Sequence, residues 1–142
     1  MAPINYGRVL LGGLLGGVVA NIGDFLVNNM IMADDMVRMA QRLNLNQVLM
    51  ASPVVGMTWV VVDFVYVTLI VWTYAAIRPR FGPGPGTAIK SGVVLWAAVS
   101  AVLFGFQSMG IFTPDSFFKS AVLSLATTIL ASLAGAWAYK ET

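Results

Sequence analysis

The sequence contains no cysteine and no histidine. Without cysteine, the protein can form no disulfide bond, no thiolate metal site and no cysteine nucleophile. Without histidine, it lacks the usual protein ligand of haem and zinc and the commonest general base of enzymes. The two absences favour a protein that is not an enzyme and that has no metal centre or other dedicated cofactor.

Charged residues are also scarce. They make up 10% of the 142 residues, whereas a soluble domain contains about 25%. Hydrophobic residues make up 58%, and the mean hydropathy is +0.83, which is the composition of a membrane protein. The net charge of +2 comes from scattered basic residues rather than from a basic patch, so we expect no nucleic-acid partner.

Four apolar stretches are long enough to cross a bilayer, which takes about 20 helical residues. They cover residues 8–30, 50–77, 87–111 and 114–139. The first stretch has the basic start, apolar run and small residues of a secretion signal, but we expect it to be retained as a membrane helix. We therefore predict an all-α integral membrane protein, a bundle of four transmembrane helices that forms one domain over residues 1–142.

A short amphipathic helix is predicted over residues 33–45, between the first two spans. Asp34 and Asp35 suit its first turn, where the helix dipole favours negative charge. Apolar and basic residues then fall on opposite sides of the helix: Met36, Met39, Ala40 and Leu43 against Arg38 and Arg42. We expect this helix to lie at the membrane interface, where it either caps the bundle or docks a partner.

Basic residues predict the orientation of the bundle. Four spans put both ends of the chain on one side, together with the turn between the second and third spans. That side carries more basic residues than the other: Arg8, Arg78, Arg80, Lys90 and Lys140 against Arg38, Arg42 and Lys119. By the positive-inside rule, both ends face the cytoplasm.

Residues 78–86, with the sequence RPRFGPGPG, form the most distinctive local string. Alternating glycine and proline cannot continue a helix and favour a turn. The string could be a binding loop, but a rigid reversal near lipid phosphates is favoured, because basic residues beside a span are ordinary anchors. The predicted headgroup anchors of the protein are Arg78, Arg80, Lys90, Trp137 and Lys140.

Glycines in the first span form two overlapping GxxxG pairs, Gly12 with Gly16 and Gly13 with Gly17. Residues four apart lie on one helix face, so each pair would let another helix backbone approach closely. That helix could belong to this chain or to another subunit, and the sequence favours neither.

Two aspartates lie inside the spans. Counted from the same side of the membrane, Asp24 lies about 24 Å and Asp63 about 21 Å along antiparallel helices, so their depths are similar. Charged side chains at this depth are costly and face the protein interior, and no lysine or arginine lies at this level. We predict a buried polar layer that the four helices share, formed by Asn21, Asp24, Asn28, Asp63, Gln107 and Ser124.

Three functions fit this layer. Protonated Asp24 and Asp63 could hydrogen-bond to their neighbours in an accessory or scaffold subunit, which packs by its helices in a larger membrane complex or self-associates. The acids could instead bind and release a proton or cation in a transporter of a small or lipophilic solute. As a pair they could also hold Mg²⁺ or Ca²⁺ in an enzyme, but their spacing matches no motif. Polar side chains often join membrane helices, so the accessory subunit is favoured, with the transporter as the alternative.

The string YAAIRPRFGPGPGTA at residues 74–88 resembles one found in a set of small bacterial four-helix membrane proteins with no assigned activity. The opening NYGRVLLGGLLGGVVANIGDF and the ending LAGAWAYKE are similar to theirs as well, so the resemblance covers most of the chain. It implies a multi-pass protein of the bacterial inner membrane and adds no catalytic residue. Membrane lipids are then expected partners, and a lipid or another apolar cofactor could lie against the outer faces.

Overall fold

The structure is a computed structural model that describes residues 3–140. These residues form helices joined by turns, with no strand among them: α1 (Tyr6–Leu26), a π-helical segment (Val27–Ile31), α2 (Ala33–Arg42), α3 (Gln47–Met50), α4 (Pro53–Phe81), α5 (Pro85–Ser108) and α6 (Pro114–Ala138). Within the described part of the chain, four helices are long and apolar enough to cross a membrane: Tyr6–Ile31, α4, α5 and α6. The all-helical fold with four membrane-length helices is therefore confirmed.

Polar side chains cap the starts of three of the four long helices. The side chain of Asn5 accepts a hydrogen bond from the backbone N–H of Arg8 at the start of α1. Ser52 and Thr113 cap α4 and α6 in the same way, and each is followed by a proline in the first turn. Proline suits that position because its fixed φ is helical and the first-turn N–H has no helical partner.

The turn after α4 is shorter than the sequence predicts. The helix continues through Pro79 to Phe81, and the N–H of Gly82 closes its last turn by donating to the Arg78 carbonyl at 2.8 Å. The reversal is made by Gly82 and Gly84, whose φ angles of 81° and 128° are easily adopted only by glycine. The Tyr74 hydroxyl accepts a hydrogen bond from the Gly84 N–H at 3.2 Å and fixes the turn against α4.

Helix α1 packs against both α4 and α6, and α5 closes the bundle against α6 and α4. The GxxxG pairs lie in these contacts. Gly12 and Gly16 face the backbone of α6, whereas Gly13 and Gly17 face side chains of α4. Both glycine pairs therefore serve contacts within the chain, an arrangement that the sequence could not distinguish from a contact between subunits.

The tightest packing lies at the end of the bundle that contains residues 82–84, here called the turn end. The buried residues of α4 run from Asp63 to Ala75 and those of α5 from Thr87 to Gly92, so both sets lie towards this end. The rings of Tyr74 and Tyr139 meet there edge to face, with centroids 5.9 Å apart. At the opposite end, here called the α2 end, the part of α4 before Asp63 and the part of α5 after Gly92 are largely exposed.

Candidate functional site

Asp24 of α1 and Asp63 of α4 face each other across the contact between these helices. Their carboxyl groups lie close enough to interact directly with each other. Asp63 is only 9% exposed and Asp24 is half-buried. A carboxylate has no donor, so a hydrogen bond between two carboxyl groups requires a proton on at least one of them.

The contact between α1 and α4 fixes this acid pair in place. Asp63 lies one helical turn before Val67, which is fully buried, so both face the bundle interior. One turn before Asp24, the side-chain amide of Asn21 donates to the Gly17 carbonyl at 2.9 Å and to the Val60 carbonyl of α4 at 3.4 Å. The amide therefore joins the two helices beside the acids.

Hydroxyl groups of α4 and α6 complete the surroundings of the acid pair. Tyr66 lies near enough to Asp24 to interact with it electrostatically, and its hydroxyl lies 3.5 Å from that of Thr128 on α6. Thr127 is buried and contacts α1 at Gly23. The predicted layer omits these three hydroxyl residues. Tyr66 could have been recognised from the sequence, because it lies three residues after Asp63 and hence on the same helix face.

Three members of the predicted polar layer lie elsewhere. Asn28 is exposed, and its amide donates to the backbone carbonyl of Asp24. Asn28 lies in the π-helical segment, which begins at Val27, and not in the α-helical turns that carry Asp24. Gln107 is half-buried near the end of α5, and no hydrogen bond among residues 3–140 joins it to the acids. Ser124 lies in the contact between α5 and α6.

Ser124 accepts a hydrogen bond from the indole N–H of Trp96 at 3.2 Å, and that N–H also donates to the Ala121 carbonyl at 3.0 Å. Trp96→Phe should therefore lower the free energy of unfolding by about 1 kcal/mol, the usual value for one hydrogen bond. Chemical unfolding in mixed micelles would measure this. Trp137, which is 79% exposed, supplies the control, and Trp137→Phe should change stability much less. Equal losses in the two variants would contradict the prediction.

The predicted headgroup anchors occupy the turn end of the bundle. Arg80, Lys90, Trp137 and Lys140 are exposed there, and the Lys90 ammonium lies 4.5 Å from the centroid of the Phe81 ring. Arg78 differs because it is half-buried, with its guanidinium 5.7 Å from the centroid of the Tyr139 ring. Arg78 thus takes part in packing within the bundle.

At the other end, ion pairs hold α2 on α6. Asp35 is 7% exposed and accepts hydrogen bonds from Lys119 at 2.8 Å and from Arg38 at 2.6 Å. The Lys119 ammonium, and next the Arg38 guanidinium, lower the pKa of the Asp35 carboxyl to about 2. The hydroxyl of Ser116 also donates to this carboxylate at 3.3 Å. The start of α2 is therefore fixed to the first turns of α6.

The far end of α2 is fixed as well. The Arg42 guanidinium donates to the carbonyls of Gly110 and Ile111, in the turn between α5 and α6. Beneath α2 lies a cavity of about 280 Å³. Its walls come from the π-helical segment, α2, α5, and the turn and first residues of α6. The sequence did not predict this cavity, because its walls come from parts of the chain that are far apart in sequence.

The fold and the acid pair together are those of a helical, multi-pass membrane protein with two carboxyl groups inside its bundle. Among residues 3–140, no three acidic side chains come close enough to hold a metal ion together. Comparisons with protein families, curated proteins and solved structures found no match to this chain.

Proposed function

We propose that this protein is a non-enzymatic membrane transporter that binds and releases a proton or cation at the acid pair as a small or lipophilic solute crosses. One observation carries the proposal. Asp24 and Asp63 face each other inside the bundle, and in the described part of the chain neither forms an ion pair with a lysine or arginine. Acids in this situation typically mark proton or ion pathways in membrane proteins.

Because the acid pair joins two helices, proton binding there should affect the contact between α1 and α4. When one proton is shared, the two carboxyl groups attract each other through a hydrogen bond. When it leaves, two like charges face each other in a region of low dielectric, and they repel. Since Asp24 belongs to α1 and Asp63 to α4, loss of the proton would weaken the contact between these helices. A cation between the two carboxylates would restore it.

An accessory or scaffold subunit remains the second candidate. At the α2 end, α4 exposes large apolar side chains such as Val54 and Trp59, which helices of a larger complex or of a second copy could cover. The GxxxG pairs do not support this role, because both face helices of the same chain. Stoichiometric co-purification of other membrane subunits from gently solubilised native membranes would favour it.

The proposal includes a location and an orientation. We propose that the chain lies in the bacterial inner membrane, in contact with lipids, on the basis of its resemblance to small bacterial membrane proteins. The excess of basic residues at the turn end favours a cytoplasmic position for that end. Helix α2 would then lie at the opposite side of the membrane, where it covers that end of the bundle.

Infrared spectroscopy of the protein in lipid vesicles tests proton binding directly, through the carbonyl stretch of protonated carboxyl groups. We expect this band at neutral pH and its loss as the pH rises. Asp63→Asn should abolish the change and shift the stability by no more than about 1 kcal/mol, because asparagine keeps the hydrogen-bonding capacity. Asp34→Asn, at an exposed aspartate, should leave the change intact.

Three results would count against the transporter. A band that stays constant over the accessible pH range would mean that the pair is permanently protonated and serves only to join the helices. A band that changes equally in Asp63→Asn and in the wild type would place the titrating group elsewhere. If Asp63→Asn did not stay folded during purification, the acid pair would have a structural role. Asp24→Asn provides the same comparison for the other carboxyl group.

A further inference from the structure

The cavity beneath α2 has the size of a small-molecule site. Its volume of about 280 Å³ is nearly twice that of an engineered cavity of about 150 Å³ that binds benzene. It could therefore hold a two-ring molecule, or one ring with a short substituent. The cavity lies apart from the acid pair, and nothing in the proposed function requires it.

The walls of the cavity are largely apolar and adaptable. Met36 and Met39 of α2 face Leu103 of α5 and the rings of Phe112 and Phe117 across the space. Methionine side chains are flexible and make favourable contacts with aromatic rings, so such surfaces accept ligands of varied shape. An apolar lining with a few polar groups is the usual composition of a small-molecule site.

The charged groups around the cavity are balanced. Asp35 is paired with both Lys119 and Arg38, and the guanidinium of Arg42 is bonded to two backbone carbonyls. Asp115, the remaining charged wall residue, is exposed in the first turn of α6, where the helix dipole favours a negative charge. The buried charge of the wall, Asp35, is thus matched within the chain, and Asp115 is exposed to solvent, so the cavity favours an uncharged ligand.

One polar group in the wall is available to a ligand. Ser120 lines the cavity and is half-buried, and its hydroxyl has no hydrogen-bond partner among residues 3–140. A hydroxyl can both donate and accept, so it could bind an alcohol or a ketone oxygen.

We propose that this cavity binds a small uncharged amphiphile: a one-ring or two-ring aromatic molecule with a hydroxyl or ketone oxygen. The ring lies among Met36, Met39 and Phe112, and the oxygen bonds to the hydroxyl of Ser120. The ion pairs of Asp35 and the carbonyl contacts of Arg42 keep α2 closed over the ligand.

A photoreactive probe of this class tests the proposal. Para-(hydroxymethyl)benzophenone is uncharged, has two rings and both oxygen types, and on irradiation inserts into nearby C–H bonds. We expect saturable adducts on Met36 or Met39 of the full chain in lipid nanodiscs, located by peptide mass spectrometry. Excess beta-naphthol, a competitor of the same class, should reduce these adducts about tenfold.

Variants of the cavity wall separate binding from partition into lipid. Ser120→Phe fills the cavity and should reduce labelling of Met36 about tenfold. Val122→Phe adds the same ring to a 69% exposed position nearby and should leave it unchanged. Ser120→Ala keeps the space and should weaken binding about threefold by removing the hydroxyl, which provides a test even if the larger variant does not fold.

Two outcomes would overturn the proposal. One is labelling that does not saturate and that falls equally on exposed methionines such as Met57 and Met109, because it would show partition into the bilayer alone. The other is wild-type labelling of Met36 in Ser120→Ala, because the assigned oxygen contact would then be absent. Neither outcome bears on proton binding by Asp24 and Asp63.

Discussion

Gly16→Ala is expected to lower the free energy of unfolding by about 2–3 kcal/mol, a large loss for one added methyl group. A Cβ atom at this position would lie 2.5 Å from the backbone carbonyl oxygen of Ala131 and 2.6 Å from a methyl carbon of Val67. A backbone oxygen cannot rotate out of the way as a side chain can. Helix α1 would therefore have to move away from α6, and their shared packing would loosen.

Gly105 provides the matched control, because a Cβ atom there would meet no atom within 4 Å. Gly105→Ala should stabilise α5 by about 0.5–1 kcal/mol, since alanine loses less conformational freedom in a helix than glycine does. Unfolding both variants in mixed micelles would give the comparison. If Gly16→Ala were as stable as Gly105→Ala, the close approach of α1 and α6 described above would be wrong.

The second large effect is expected at Asp35. Asp35→Asn removes the negative charge that holds Lys119 and Arg38, so the start of α2 should detach from α6. Backbone amides of α2 should then exchange hydrogen at least about tenfold faster, as local opening becomes easier. Asp34→Asn, the same change at an exposed neighbour, should leave exchange in α2 unchanged. Equal exchange in both variants would show that the ion pairs do not hold α2.

The same contact predicts a dependence on pH. The pKa of Asp35 is lowered from 3.8 to about 2 in the folded protein, so the folded state favours the ionised carboxylate. The stabilisation is fully present above pH 3.8, and it is lost as the pH falls towards 2 and the carboxylate is protonated in both states. The protection of α2 amides, relative to their intrinsic exchange rates, should therefore fall over this acidic range in the wild type but not in Asp35→Asn.

The features of the fold and of the site that depend on composition, or on spacing within one helix, could be predicted from the sequence. Apolar length predicted the four membrane-length helices. Counting residues along two antiparallel spans brought Asp24 and Asp63 to one level, and the structure places their carboxyl groups together. Both inferences depend only on the fixed rise of a helix and on the direction of the chain.

The sequence could not predict which helix packs against a given face of α1. Gly12 and Gly13 are adjacent, yet one faces α6 and the other α4, and only the assembled bundle decides between them. The pairing of Asp35 with Lys119 joins residues 84 positions apart and has no local pattern. Pro79 was wrongly taken to end the helix, because a proline destabilises a helix at its own position without always ending it there.

The π-helical segment sets where the first membrane-length helix ends relative to α2. An α-helix advances about 100° and 1.5 Å per residue, so one residue fewer in Val27–Ile31 would turn and shift the end of this helix by roughly those amounts. Helix α2 begins after a non-helical residue, Met32, and its position on α6 depends on the contact of Asp35 with Lys119. A one-residue deletion from Val27–Ile31 should therefore weaken this ion pair and loosen the cover of the cavity.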